Sequence, residues 1–336
     1  MENKGVFTIS LDFELIWGGF EKWNLAKLQK YFMVTRKIIP DYLKLFEDHE
    51  THVTWATVGL LFADGIDQAQ EYFPTELPSY RSLNLSAYNY IKQNTIRKSE
   101  NEDPFHFAQS LVKLIEKVPG QEMATHTFSH YYCNEPGQTP GQFRADLQAH
   151  KAIAHTLGIE LKSLVFPRNQ FNETYLTICK EEGITSVRSN PVDWFWNIDT
   201  HNEPKIKRLV RGLDAFFPIG KKSSYKLDSI DVSSKPYLLP ASRLLRAWSP
   251  KEAKLNRFKI DKIKKEMTVA AKYNEVYHLW WHPHNFGHFP DENLRDLKEI
   301  LEHFKFLKKE YGMTSFTMNE TSRLLDKVNN LAIADS

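Results

Sequence analysis

Short strand-like runs alternate with longer helical-period segments along the whole chain, and that alternation leaves few architectures open. Phe7-Thr8-Ile9-Ser10-Leu11-Asp12-Phe13-Glu14 has the two-residue period of a strand. Phe7, Ile9, Leu11 and Phe13 share one face; Thr8, Ser10, Asp12 and Glu14 share the other. The pattern then predicts a helix near 34–49, a strand at 53–57, and a polar, aromatic-rich excursion over 64–119 with helices near 85–97 and 104–117. A strand at 121–125, a helix near 140–157, a strand at 162–166 ending at Pro167, a helix near 171–182 and a strand at 184–187 follow. Region 190–250 reads as a strand near 206–210 with a basic loop around 220–235. Beyond it come a helix near 251–273, a strand at 276–281, a helix near 290–310 and a last strand at 314–316. Repeated strand–helix units imply a parallel sheet, and this many most simply close into an α/β barrel. No internal repeat or low-complexity linker calls for a second domain. Residues 1–330 therefore read as one barrel domain with insertions at about 64–119 and 190–250, an ordinary size for a barrel carrying insertions.

Three groups of residues suggest chemistry. In Thr125-His126-Thr127-Phe128-Ser129-His130, two imidazoles stand four apart, which on one helical turn brings both within reach of a single cation. With 13 histidines in 336 residues, chance alone supplies ~0.5 such pairs, so the pair needs a partner elsewhere. Asp12 and Glu14 offer it: they end the first strand and point into the same space, as catalytic carboxylates do at the C-terminal ends of barrel strands. The same polar face also fits an edge strand with one wet side. The third group is Val276-Tyr277-His278-Leu279-Trp280-Trp281-His282-Pro283-His284, a buried strand closed by proline. His278 reads as a core histidine, whereas His282 stands at the strand end, level with the two acids.

Composition narrows the class without naming it. A formal net charge of +2 gives no reason to expect a nucleic-acid partner. Two cysteines, Cys133 and Cys179, do not make a disulfide framework and read as reduced thiols. No apolar run reaches membrane-spanning length, and Met1-Glu2-Asn3-Lys4 lacks the apolar stretch of a signal peptide, so a cytoplasmic protein is expected.

Asp12, the His126/His130 pair, Phe166-Pro167-Arg168 and His282 occur in the order shown by polysaccharide deacetylases of the NodB-homology type, carbohydrate esterase family 4, and the chain resembles that family over roughly residues 6–320. The resemblance implies a distorted (β/α) barrel with fewer complete strands than the eight-fold version, and hydrolysis of acetyl groups on sugars with one divalent metal. It implies that His126 and His130 bind the metal, that Asp12 is the general base and that His282 is the general acid. The family's second acid, normally adjacent to the first and a metal ligand, aligns with Phe13 here. Glu14, on the same strand face as Asp12, is the natural replacement and is favoured over Asp12 as the ligand. The family's base-orienting arginine precedes a middle-strand proline; here Arg168 directly follows Pro167 and is the expected substitute. Asp193-Trp194 stands where the family has an acid that contacts the late histidine, so Asp193 is expected against His282. Trp17, Trp55 and Trp281 are candidate indole platforms for a sugar.

These residue types answer a chemical need. An amide is a poor electrophile and water a poor nucleophile; a divalent ion on two imidazoles and one carboxylate polarises the first and acidifies the second. A free carboxylate takes the water proton, and a histidine protonates the departing amine. The expected function is removal of an acetyl or other N-acyl group from an amino sugar or polysaccharide intermediate in surface-glycan metabolism. A deformylase or other C–N hydrolase on the same fold, and an inactive carbohydrate-binding barrel, are the alternatives. Zinc leads the expected cofactors, ahead of cobalt, nickel and iron, because that donor set suits all four. The expected substrate is an acylated amino sugar on a nucleotide or lipid carrier; Lys205, Lys207, Arg208, Lys221, Lys222 and Lys226 are candidates to meet its phosphates, with ordinary solvated charges as the alternative.

Overall fold

The computed structural model describes residues 4–197 and 204–334. Residues 198–203, inside the 190–250 insertion, and the first three residues of the N-terminus lie outside the described residues. In chain order the elements are β1 (Val6–Phe13), α1 (Leu25–Asp48), β2 (Val53–Thr57), α2 (Ile66–Glu71), α3 (Ala87–Gln93), α4 (Gln109–Glu116), β3 (Gln121–Thr125), α5 (Pro140–Thr156) and β4 (Ser163–Leu164). They continue with α6 (Glu173–Glu181), β5 (Ser186–Ser189), α7 (Lys205–Asp214), β6 (Tyr237–Pro240), β7 (Arg243–Leu244), α8 (Asn256–Lys272), β8 (Val276–Trp281), α9 (Pro290–Tyr311), β9 (Thr314–Ser315) and α10 (Met318–Ala334).

The strands form one sheet in the order β6-β5-β4-β3-β2-β1-β8-β7, with β9 paired to the start of β1, and these pairings are parallel. Its two ends are joined by Ala241-Ser242 alone. Ala241 N–H bonds back to the Ser189 carbonyl and Ser242 N–H to that of His278, so one extended stretch touches first one edge and then the other. That geometry requires a sheet curled on itself: a distorted (β/α) barrel, as the sequence implied.

β1 lies at the centre, between β2 and β8, and is buried on both faces. Phe7, Ile9, Leu11 and Phe13 pack outward into the main core with Ile39 and Phe46 of α1 and Ile300 and Phe304 of α9. The other face is buried and polar, with Ser10 accepting from Arg188 and bonded to His278. The edge-strand reading is thereby excluded. A polar interior is stable only where hydrogen bonds satisfy it, so this face already marks the barrel lumen as a site. At the opposite end of the strands α10 closes the barrel floor: Met318 packs with Val6, Ala56 and Ala124, and its N–H bonds to Thr54.

Three expectations about elements are corrected. Region 206–210 is helical, within α7, not a strand: Lys205-Ile206-Lys207 imitates alternation for three residues, but Ile206, Leu209 and Leu213 keep the i, i+3, i+7 spacing of a helix. The strand expected at 184–187 lies two residues later, at Ser186–Ser189, because Ile184 bonds back to the end of α6. The terminal helix α10, and the closing stretch 237–244, were not anticipated. Cys133 and Cys179 are both free and buried.

Candidate functional site

The candidate residues gather at the C-terminal ends of the strands. His126 follows β3 directly, Glu14 follows β1, and His282 follows β8. The histidine pair is not on a helical turn as expected. Residues 126–130 form a loop in which Thr127 (φ 63°) and His130 (φ 57°) take left-handed conformations that non-glycine residues adopt at a cost of about 1–3 kcal/mol each. Buried hydrogen bonds hold it there. Thr127 N–H donates to Thr125 Oγ1 at 2.9 Å, Tyr131 N–H to Thr127 Oγ1 at 2.7 Å, and Phe128 and Ser129 N–H to the Asp146 carboxylate at 2.6 and 3.2 Å. The result brings the two imidazole centroids to 5.1 Å.

Glu14 Oε1 lies 2.9 Å from His126 Nε2 and 3.1 Å from His130 Nε2, all three residues being buried. His126 Nδ1 is 2.7 Å from the Val165 carbonyl, which can only accept, so Nδ1 carries a proton and Nε2 is the nitrogen turned to Glu14. A histidine fixed through its other nitrogen to a backbone carbonyl is the usual support of a metal ligand. Burial works against ionisation of Glu14, yet His282 and the hydrogen-bonding His126 and His130 outweigh it and hold the carboxyl well below the usual range. Burial also dominates at His130, keeping its imidazole below the ordinary histidine value and hence neutral. A carboxylate facing two imidazole nitrogens is a donor set that suits a divalent cation. Gly18 makes room for it: a Cβ there would stand 2.0 Å from Glu14 Oε2.

Asp12 lies beside this trio and is gripped from β5. Arg188 Nη1 donates to Oδ1 at 2.6 Å and Nη2 to Oδ2 at 2.8 Å, a bidentate pair with both residues buried. Arg188 is further fixed by Ser10, by Asn169 and by the Trp280 ring 4.3 Å beneath its guanidinium. Burial pushes the Asp12 carboxyl up, but Arg188 and then His282 overcome it, so the group stays below its ordinary value. His282 is the partly open member: its Nε2 is 3.6 Å from Asp12 Oδ2 and 3.9 Å from Glu14 Oε1. Beneath it His284 is buried, with Nδ1 3.9 Å from Glu14 Oε2, and burial pushes its pKa down to about 3.

Several expected contacts are corrected. Arg168 does not reach Asp12; it pairs with Glu21, approaches Glu135 at 3.7 Å and lies over the Tyr132 ring, so two acids hold it at the cavity wall. Arg188 takes the place assigned to it. Asp193 does not serve His282; it accepts from the backbone N–H of Lys221 at 3.0 Å. Trp17, Trp55 and Trp281 are fully buried, Trp17 donating to the His106 carbonyl, so none is a platform. The indoles that line the cavity are Trp196 and Trp280, their ring centroids 5.9 Å apart. The period of β8 carried this signal: His278, Trp280 and His282 share the inward face, while Tyr277, Leu279 and Trp281 pack outward.

Asp12 and His282 lie in the wall of an open cavity of about 740 Å³. Lys22, Arg168, Arg208, Arg211, Arg243 and Arg246 also line it, against the acids Asp12, Glu21 and Asp214. Arg168 is paired there with Glu21, Arg243 with Asp214 and Glu266, and Arg246 with Glu252.

The curled parallel sheet thus carries carboxylates, imidazoles and an arginine together at its C-terminal rim. Residues 37–187 match the model of the polysaccharide deacetylase family. The matched segment holds His126 and His130 but not Asp12, Glu14, Arg188 or His282. No curated protein matches the chain. Among solved structures it is similar to a protein assigned to the polysaccharide deacetylases from Mycobacterium smegmatis (TM-score 0.60, 11% identity, covering 98% of this chain and 92% of that one). It is also similar to Puue allantoinase (TM-score 0.56, 10% identity, 96% and 90%) and to a further protein assigned to the deacetylases from Pseudomonas aeruginosa PAO1 (TM-score 0.55, 10% identity, 95% and 89%). At these identities the likeness concerns the fold.

Proposed function

We propose that the chain is a metal-dependent deacetylase that removes an N-acyl group from an amino sugar, and that its whole length serves one domain, with 64–119 and 190–250 as insertions shaping the pocket. The observation that carries the reading is the ionised Glu14 facing the Nε2 atoms of His126 and His130, beside an Asp12 fixed by Arg188 and opposite His282. Held by Glu14, His126 and His130, one divalent cation, zinc first among zinc, cobalt, nickel and iron, would supply a polarised acyl oxygen and an acidified water. Asp12 is placed to act as the base that would accept a proton from such a water, and the two Arg188 hydrogen bonds keep it ionised and oriented. His282, nearer to solvent than the other members, protonates the departing sugar nitrogen. Trp196 and Trp280 offer apolar faces to a sugar ring.

Glu14 must occupy the space above Gly18 for this site to form. Gly18→Ala is therefore expected to push the carboxylate aside and weaken metal binding by about 10–100-fold, the range for disturbed support of a ligand. Equilibrium metal titration of the variant measures this, and unchanged affinity would place the ligand elsewhere.

The basic side chains among those lining the cavity support a substrate with phosphates: an acylated amino sugar on a nucleotide or lipid carrier, in the cytoplasm, where surface-glycan intermediates are built. Acetate release should be efficient from short carrier-linked N-acetyl amino sugars and weak from insoluble chitin or peptidoglycan. Turnover of polymer with none of any carrier-linked sugar overturns the substrate reading, and formate rather than acetate as product identifies a deformylase.

A further inference from the structure

Region 190–250 contributes more than a wall to the cavity. Its helix α7 has two opposed faces. At about 100° per residue, Ile206, Leu209 and Leu213 fall within about 60° of one another, while Arg208, Arg211 and Gly212 lie on the far side. The far side lines the cavity that holds Asp12 and His282. The helix is anchored from that side: Arg211 donates to the Phe195 carbonyl at 2.7 Å, and Asp214, at its end, is held by Arg243 and Lys262. Ile206, Leu209 and Leu213 turn away from the body of the protein, and the stripe runs on into Phe217 and Ile219, all five being 43% to 59% exposed. A continuous apolar stripe on a helix with a charged opposite face is uncommon on a protein surrounded only by water.

The charges around the stripe say what covers it. Lys205 and Lys207 stand on either side of it, about 70° and about 130° from its centre. From 204 to 226 the chain carries seven Lys or Arg and a single acid, Asp214, which is buried. Lys221 and Lys222, just beyond Ile219, are exposed. Apolar side chains in the middle with lysines at both margins match a lipid surface with anionic headgroups, where the apolar groups enter the acyl boundary and the ammonium groups remain among the phosphates. A second copy of this chain would have to meet the same ring of positive charge.

We propose that α7, with Phe217 and Ile219, lies in the interface of an anionic phospholipid membrane and holds the mouth of the cavity at headgroup level. The inference is independent of the acyl group removed. It assigns the apolar residues of α7 to the membrane and its arginine face to the cavity, so a lipid-borne substrate would reach the site without leaving the bilayer surface.

The full-length protein should float with vesicles of phosphatidylglycerol and phosphatidylcholine, and at least tenfold less with phosphatidylcholine alone. The pair Leu209→Asp and Leu213→Asp should reduce flotation with the anionic vesicles by at least tenfold. Neither residue lines the cavity, so turnover of a water-soluble acylated amino sugar should be unchanged. Lys205→Glu with Lys221→Glu should weaken flotation while keeping the apolar stripe intact. The proposal is overturned if the protein ignores both kinds of vesicle, if it binds both equally, or if the aspartate pair floats as the parent does. A dimer in solution that the aspartate pair dissociates, without any flotation of the parent, would assign the stripe to a second copy instead.

Discussion

Asp12→Asn is expected to keep its metal and lose turnover by about two to four orders of magnitude, the usual cost of removing a proton-transfer group. The expectation rests on where Asp12 spends its hydrogen bonds. Both of its oxygens accept from Arg188, which fixes the carboxylate plane and favours its charge. Glu14, by contrast, directs one oxygen at two imidazole nitrogens. The first arrangement suits an oriented base and the second a ligand. Asparagine fits the Asp12 site but offers Arg188 one acceptor oxygen and no negative charge, so the loss should appear in kcat with metal stoichiometry at its parent value. If Asp12→Asn instead comes out metal-free and Glu14→Gln retains its ion, the two acids have exchanged roles. Measuring kcat and bound metal on both variants separates the cases.

The fold was legible because strand and helix periods alternate along most of the chain, region 190–250 excepted. Strand positions were readable wherever a face alternated cleanly, as in β1 and β8. The strand expected at 162–166 shortens to the two residues of β4, and the closing stretch 237–244 carries too few residues for a period to appear. α7 misled for the opposite reason, since three residues of accidental alternation at its start outweighed a helical stripe that becomes evident only over eight. At the site, Asp12, Glu14, His126, His130 and His282 were all singled out from the sequence, and the barrel brings them together at one rim. Arg188 was missed through a shift of two residues: ending the strand at Val187 left the next residue in a loop, although Ser186-Val187-Arg188 extends the strand and turns a guanidinium inward. Arg168 drew attention by standing next to a proline. Its true partners, Glu21 and Glu135, are far away in sequence and could not be foreseen from local pattern. The indoles were misjudged in the same way, because Trp280 and Trp281 differ only in which face of β8 they occupy.

Joint replacement of His126 and His130 by alanine is expected to abolish metal binding and with it all measurable deacetylation, while the barrel remains folded. The folding half follows from what holds the loop. Its left-handed residues are secured by Thr125, Thr127 and the Asp146 carboxylate through backbone N–H groups, and neither imidazole takes part in those bonds. What the rings do contribute is the Nδ1 contact of His126 with Val165 and that of His130 with Tyr132, together with both Nε2 atoms around Glu14. Removing them leaves Glu14 a lone carboxylate, and a single carboxylate does not retain a divalent ion at the affinity of a three-ligand site. Elemental analysis of the purified variant and its circular dichroism spectrum test both halves. Asp12, Glu14 and His282 form the second cluster of metal-binding atoms within 4.8 Å of one another, so it is the site to examine if the double variant keeps a full metal complement. In that case His282→Ala should release the ion, and His282 would be a ligand and not the acid that protonates the leaving nitrogen.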